Sequence, residues 1–175
     1  IVASPEAFSN FIKTNAQFQT PDSAWAELWT KRLAIILREL FSNTHKHART
    51  GIQGNPLTRN FRCVSISKVS VTKDMALLWS QGDIRAAHYI GTFLEKLERS
   101  AIPMLAISVT DSGIGYAQRW TSKPKESLSL REEEDALLAC FAKYGTTASR
   151  SSAGGGLTNV LRGLKTASGW MRVRS

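Results

Sequence analysis

The chain has 175 residues, 42% of them hydrophobic and 21% charged, which suits one domain with a real core and excludes bulk disorder. No apolar run of roughly 18 residues is present to span a bilayer, so a soluble domain without membrane contact is expected. The formal charge of +9 favours phosphates, nucleic acid or acidic partners by steering alone.

Cys63 and Cys140 lie far apart without C-x-x-C spacing, which argues against a zinc site or a disulfide framework. Both are expected as reduced, partly buried thiols. The sequence opens at Ile1 without a basic n-region and apolar h-region, and reads as a piece of something longer.

Residues 1–22 read as a packing arm or linker, with one amphipathic helix at about Pro5 to Thr14 whose stripe is Phe8, Phe11 and Ile12. Pro21-Asp22-Ser23 signals a helix start. Trp25, Leu28, Trp29, Leu33, Ile36, Leu37 and Leu40 then recur at helical spacing to about Ala48. After a Gly/Pro/Asn loop from Gly51 to Asn60, Cys63, Val64 and Ile66, then Val69 and Val71, read as strand. The alternation slips between Ile66 and Val69, predicting a bulge or two short strands.

Asp83 is placed to cap a helix carrying Ile84, Ala87, Ile90, Leu94 and Leu97 on one face, with His88 as a structural residue. Beyond Pro103, Met104 to Val109 suits a central strand. A polar loop follows Gly115, and Ser129-x-x-Glu132 predicts a capping box for a helix ending near Gly145. A last helix, Leu157 to Ser168, stops at Gly169, and Trp170 to Arg174 alternates as a strand. Neither an internal repeat nor a second domain is visible.

Three motifs carry chemistry. Glu39, Asn43 and His47 are spaced by four within the long helix and share one face, with Lys46 beside them. Phosphate chemistry needs a hard oxygen ligand for magnesium, a positive charge for phosphate oxygens and, for hydrolysis, a carboxylate to orient water. Asn43, Lys46 and Glu39 supply these in turn. Alone, the stripe would read as a solvated helix face.

Asp111-Ser112-Gly113-Ile114-Gly115 ends an apolar strand, where a carboxylate can accept from the exocyclic amine of adenine and glycines let backbone approach a flat ring. Gly154-Gly155-Gly156-Leu157 opens a helix, so free N–H groups and the helix dipole suit a phosphate. Its spacing matches neither a P-loop nor a dinucleotide fingerprint. From Lys143 onward, Lys143, Arg150, Arg162, Lys165, Arg172 and Arg174 stand without any acid, which fits a polyphosphate beside the glycines or a solvated basic face.

In this order the residues resemble the GHKL superfamily of ATP-binding domains, shared by gyrase, heat-shock chaperones, histidine kinases and MutL. The resemblance covers residues 23–175. Glu39-x-x-x-Asn43-x-x-x-His47-Ala48 looks like the N box, Asp111 to Gly115 like the first glycine box and Gly154 to Leu157 like the second. Arg38-Glu39 ahead of Asn43 and Lys46-His47-Ala48 after it are most similar to histidine-kinase-type domains.

The resemblance implies an α/β fold, a two-layer sandwich of the Bergerat type with helices on one face of a mixed, mainly antiparallel sheet. It implies a nucleotide site formed by Asn43, Lys46, His47, Asp111, Gly113, Gly115, Gly154, Gly155, Gly156 and Leu157. Asn43 would ligate Mg2+, Glu39 would act as the catalytic carboxylate, and residues 116–156 would form a mobile lid with Phe141 as its aromatic. ATP and Mg2+ are the expected cofactors, and the cytoplasm the expected location. The leading expectation is a kinase domain that passes phosphate to a protein acceptor outside the chain. A gyrase- or chaperone-like clamp would add ATP hydrolysis, dimerisation and a nucleic-acid partner, while a degenerate member would bind a partner without turnover.

Three features depart from the pattern. The segment between Val71 and Pro103 is longer than a hairpin, Thr158-Asn159 stands where kinases carry a second Gly-Leu pair, and related domains continue past the position of Ser175 with another strand.

Overall fold

The slip between Ile66 and Val69 marks the place where the chain changes which face of its sheet is covered. The structure, a computed structural model, describes residues 4–16, 23–79, 82–142 and 155–173. Within them β1 (Arg62–Val71) and β2 (Ile102–Asp111) pair antiparallel along their whole length, from Arg62 opposite Asp111 to Val71 opposite Ile102, with no bulge.

Residues directly opposite in such a pair share a face. Val64 with Val109 and Ile66 with Ile107 therefore lie on one side, and Val69 with Met104 and Val71 with Ile102 on the other. α1 (Pro5–Ala16) and α2 (Ser23–His47) cover the first side, where the ribbon packs on Phe8, Ile12, Ala16, Ala34 and Leu37. α3 (Lys73–Trp79) and α4 (Ile84–Lys96) cover the second, burying Val71 and Ile102 with Ala76, Ile90 and Leu94. The expected bulge is thus replaced by an unbroken strand with two half-faces. Among the described residues helices lie on both faces of the ribbon, correcting the expectation of one.

Residues 5–16 take the role of a packing arm. Phe8, Ile12 and Ala16 recur every four residues and all are buried, and the Phe8 ring meets Phe41 edge-on at 5.8 Å. The long segment after Val71 holds two helices rather than one. Asp83 caps α4 as predicted, accepting from the Arg85 N–H at 3.0 Å. His88, expected as structural, is exposed, and so is Cys63, whereas Cys140 is partly buried; neither cysteine is in a disulfide.

After Gly115, where a loop was expected, comes α5 (Tyr116–Thr121). Gly115 enters it at φ 82° and ψ 167°, a conformation reserved for glycine. α6 (Leu130–Phe141) starts with the predicted reciprocal capping box of Ser129 and Glu132, and ends at Phe141 rather than near Gly145, which lies outside the described residues. α7 (Gly156–Thr166) packs on α2.

α7 ends in a Schellman motif: Gly169 N–H donates to the Leu164 carbonyl at 2.8 Å, and Ser168 carries the positive φ of 46°. Glycine suits that position better than serine. Ser168→Gly is therefore expected to raise stability by about 0.5–1 kcal/mol in urea denaturation.

The predicted strand at Trp170–Arg174 is absent over residues 170–173. There Arg172 donates to the Trp79 carbonyl at 2.8 Å and Tyr89 to the Ser168 carbonyl at 2.5 Å, holding the segment against α3 and α4 instead of along a sheet edge. Among the described residues no helix is long and apolar enough to cross a membrane.

Candidate functional site

The C-terminal half of α2 is where the distant motifs meet. Glu39, Asn43 and His47 are half-buried along one face, and Lys46 is exposed beside them. α7 crosses this helix at its start. A Cβ added at Gly156 would sit 2.6 Å from Glu39 Oε2, and one added at Gly163 would sit 2.7 Å from Ile36 Cδ1. Glycines at 156 and 163, seven residues apart on one side of α7, thus allow the close approach.

Leu157 and Val160 are buried behind that contact, and Gly155 precedes the helix without any side-chain cap. The first-turn N–H groups of α7 thus have no capping side chain among the described residues, and the helix start lies beside the Glu39 carboxylate. Gly154 lies outside the described residues, as do Lys143, Arg150 and Arg174.

The second motif reaches the other end of the same stretch. A Cβ at Gly113 would lie 2.5 Å from Ala48 Cβ and 2.6 Å from Ala48 Cα, so the strand end touches the residue just after α2. Asp111 is exposed and accepts from the Gly113 N–H through Oδ1 at 2.8 Å, fixing its carboxylate. Asn60 donates to the Ala48 carbonyl at 2.5 Å from the loop leading into β1.

Arg119 of α5, which carried no sequence signal, completes the arrangement. Its guanidinium donates to the carbonyls of His47 at 2.8 Å, Thr50 at 2.6 Å and Gly51 at 3.3 Å, and to the Thr50 hydroxyl at 2.8 Å. A cation at the last carbonyls of α2 also complements the helix dipole. Its Nε is buried without a partner among the described residues. The start of the expected lid is therefore fastened to the end of α2.

Tyr116 lies beside this latch, its ring 6.2 Å from Phe141. Burial, then the nearby Asp111 and Cys140, push its phenol up to about 12, so it remains protonated. Of the basic residues expected near the glycines, Arg162 and Lys165 are exposed on α7. Arg172 lines a separate open cleft with Asp83, Arg85 and Trp170.

Burial, followed by the charges of Arg119 and Lys46, lowers the proton affinity of His47 below the ordinary histidine value of 6.5. His45 is lowered too, by burial and by Arg49 and Arg62. The unfolded chain then takes up these protons first, so this contribution to stability is complete above 6.5 and is lost as pH falls through it. A lower urea midpoint at about pH 5.5 than at about pH 7.5 is expected, with a smaller difference in His47→Gln.

No family model, curated protein or solved structure matches the chain.

Proposed function

We propose that the chain is an Mg-ATP-binding domain of the GHKL kind, closest to the histidine-kinase type, which passes phosphate to an acceptor outside itself. The observation that carries this reading is the convergence on α2: Gly156 against Glu39 at one end and Gly113 against Ala48 at the other. Three motifs far apart in sequence thereby meet on the C-terminal half of α2 and the residue just after it. A solvated stripe gives no reason for that meeting.

In this reading Asp111, held by the Gly113 N–H, offers its other oxygen to the adenine amine. The N–H groups at Gly155 to Leu157 and the dipole of α7 bind phosphate oxygens, joined by Lys46. Glu39 beside that helix start places a carboxylate near bound phosphate, and two negative groups so close call for a cation between them. Among the described residues no cluster of three His, Cys, Asp or Glu side chains forms a metal cage. The carboxamide oxygen of Asn43, one turn from Glu39, suits an ion completed by phosphate and water. Bound Mg2+ would neutralise the charge that develops on the transferred phosphate.

His47, kept neutral, adds no charge to the site, and Arg119 keeps the end of α2 in register with α5. The same proposal includes the two-layer sandwich, with α1, α2 and α7 as the helical layer and α3–α4 as an insertion packed on the back of the ribbon.

The position of Glu39 beside the α7 start also suits hydrolysis, the clamp reading. Incubation with Mg-ATP labelled at the γ-phosphate separates the two. Binding with background phosphate release and no label on the chain is expected. Rapid release that Glu39→Gln abolishes, with binding retained, would instead identify a hydrolase, and label incorporated into the chain itself would contradict transfer to an outside acceptor.

A further inference from the structure

We propose a second anion site, on the far side of α2 from the nucleotide face, in which Arg49 and Arg62 around His45 hold a phosphate dianion, either free or as a monoester. It does not depend on the nucleotide reading. His45 lies two residues from both Asn43 and His47, about 200° around the helix from each, so it faces away from them.

Arg62 Nη1 approaches His45 Nδ1 to 2.9 Å, and Arg49 Nη1 approaches His45 Nε2 to 3.5 Å. The last turn of α2, the loop beyond it and the first residue of β1 thus bring two guanidinium groups to one imidazole. A neutral imidazole has a single acceptor nitrogen, so it cannot satisfy both. Neither arginine forms an ion pair with a carboxylate among the described residues, where four other ion pairs occur. Asp111, directly opposite Arg62 in the ribbon, instead accepts from the Gly113 N–H.

Two like charges held this close repel unless an anion joins them. Arg62 is also fixed in place, its guanidinium lying over the Phe41 ring at 5.3 Å, which lowers the ordering cost of binding. Guanidinium forks match the oxygens of phosphate. Arginines converging from separate elements can each take a different edge of a tetrahedral dianion, which a flat carboxylate does not present.

The test is calorimetric titration of the whole chain with inorganic phosphate, and with phenyl phosphate, at constant ionic strength. Saturable binding is expected, about tenfold weaker or more in Arg49→Gln and in Arg62→Gln, while the response to Mg-ATP is unchanged in Arg49→Gln, the replacement farther from Asp111. Arg49 is exposed, so its replacement leaves the packing intact. Tighter binding of phenyl phosphate would assign the site to a phosphate monoester, and equal binding to free phosphate. Absence of saturation, or affinity indifferent to both replacements, would overturn the site.

Discussion

Arg119→Met is expected to lower stability by about 3 kcal/mol, a fall in melting temperature of roughly 6–12 °C for a chain of this size. The guanidinium serves three carbonyls and one hydroxyl at once, all in the turn that ends α2. Removing it leaves those acceptors in a half-buried crevice and frees α5 from the helix. The orphaned Nε shows that part of the guanidinium is already desolvated without return, which limits the loss to less than the sum of four charge-assisted bonds. Arg119→Lys should recover less than half, because one ammonium cannot span the same set of acceptors. Urea denaturation measures both, and a loss below about 1 kcal/mol for the methionine variant would contradict the latch.

Gly113→Ala should cost about 3 kcal/mol or more, through crowding rather than dihedral strain. The new methyl would meet Ala48 Cβ at 2.5 Å, Ala48 Cα at 2.6 Å and Asp111 Oδ1 at 2.9 Å, and backbone atoms cannot turn aside as a flexible side chain can. Strand end and helix end must separate, which displaces Asp111 as well. Adding Ala48→Gly removes the nearest atom and leaves the Cα, so it should restore part of the stability, with a coupling of about 1–2 kcal/mol. Strict additivity of the two substitutions would show that they do not touch. By contrast Gly156→Ala meets only the end of the Glu39 side chain, so its effect on stability should be small.

What could be read in advance was local. The capping box of Ser129 and Glu132, the cap at Asp83 and the long apolar period of α2 rest on neighbours within a few residues, and each has its place in the structure. The slip in β1 had two local explanations, a bulge or a break, and the actual cause lies in helices far along the chain that cover opposite faces. Tyr116 to Thr121 is too short to display a helical period. The alternation beginning at Trp170 was a weak signal because so short a stretch becomes strand only if a partner edge receives it, and here Arg172 is held by the Trp79 carbonyl.

The candidate site divides the same way. Residue types and spacing named Glu39, Asn43, His47, Asp111 and the glycines, but not that Gly113 rests on Ala48 or Gly156 on Glu39. Arg119 gave no signal at all, since its partners lie 68 to 72 residues away.

The central proposal is most directly tested by the change in melting temperature and the calorimetric affinity for Mg-ATP and Mg-ADP, in the parent chain and in Asp111→Asn. A ligand that binds only the folded state must stabilise it, by about 2.7 kcal/mol at a hundredfold excess over its dissociation constant. A clear rise in the parent, lost in a folded Asp111→Asn, is the expected result; no shift and no heat in the parent would contradict a nucleotide site on α2.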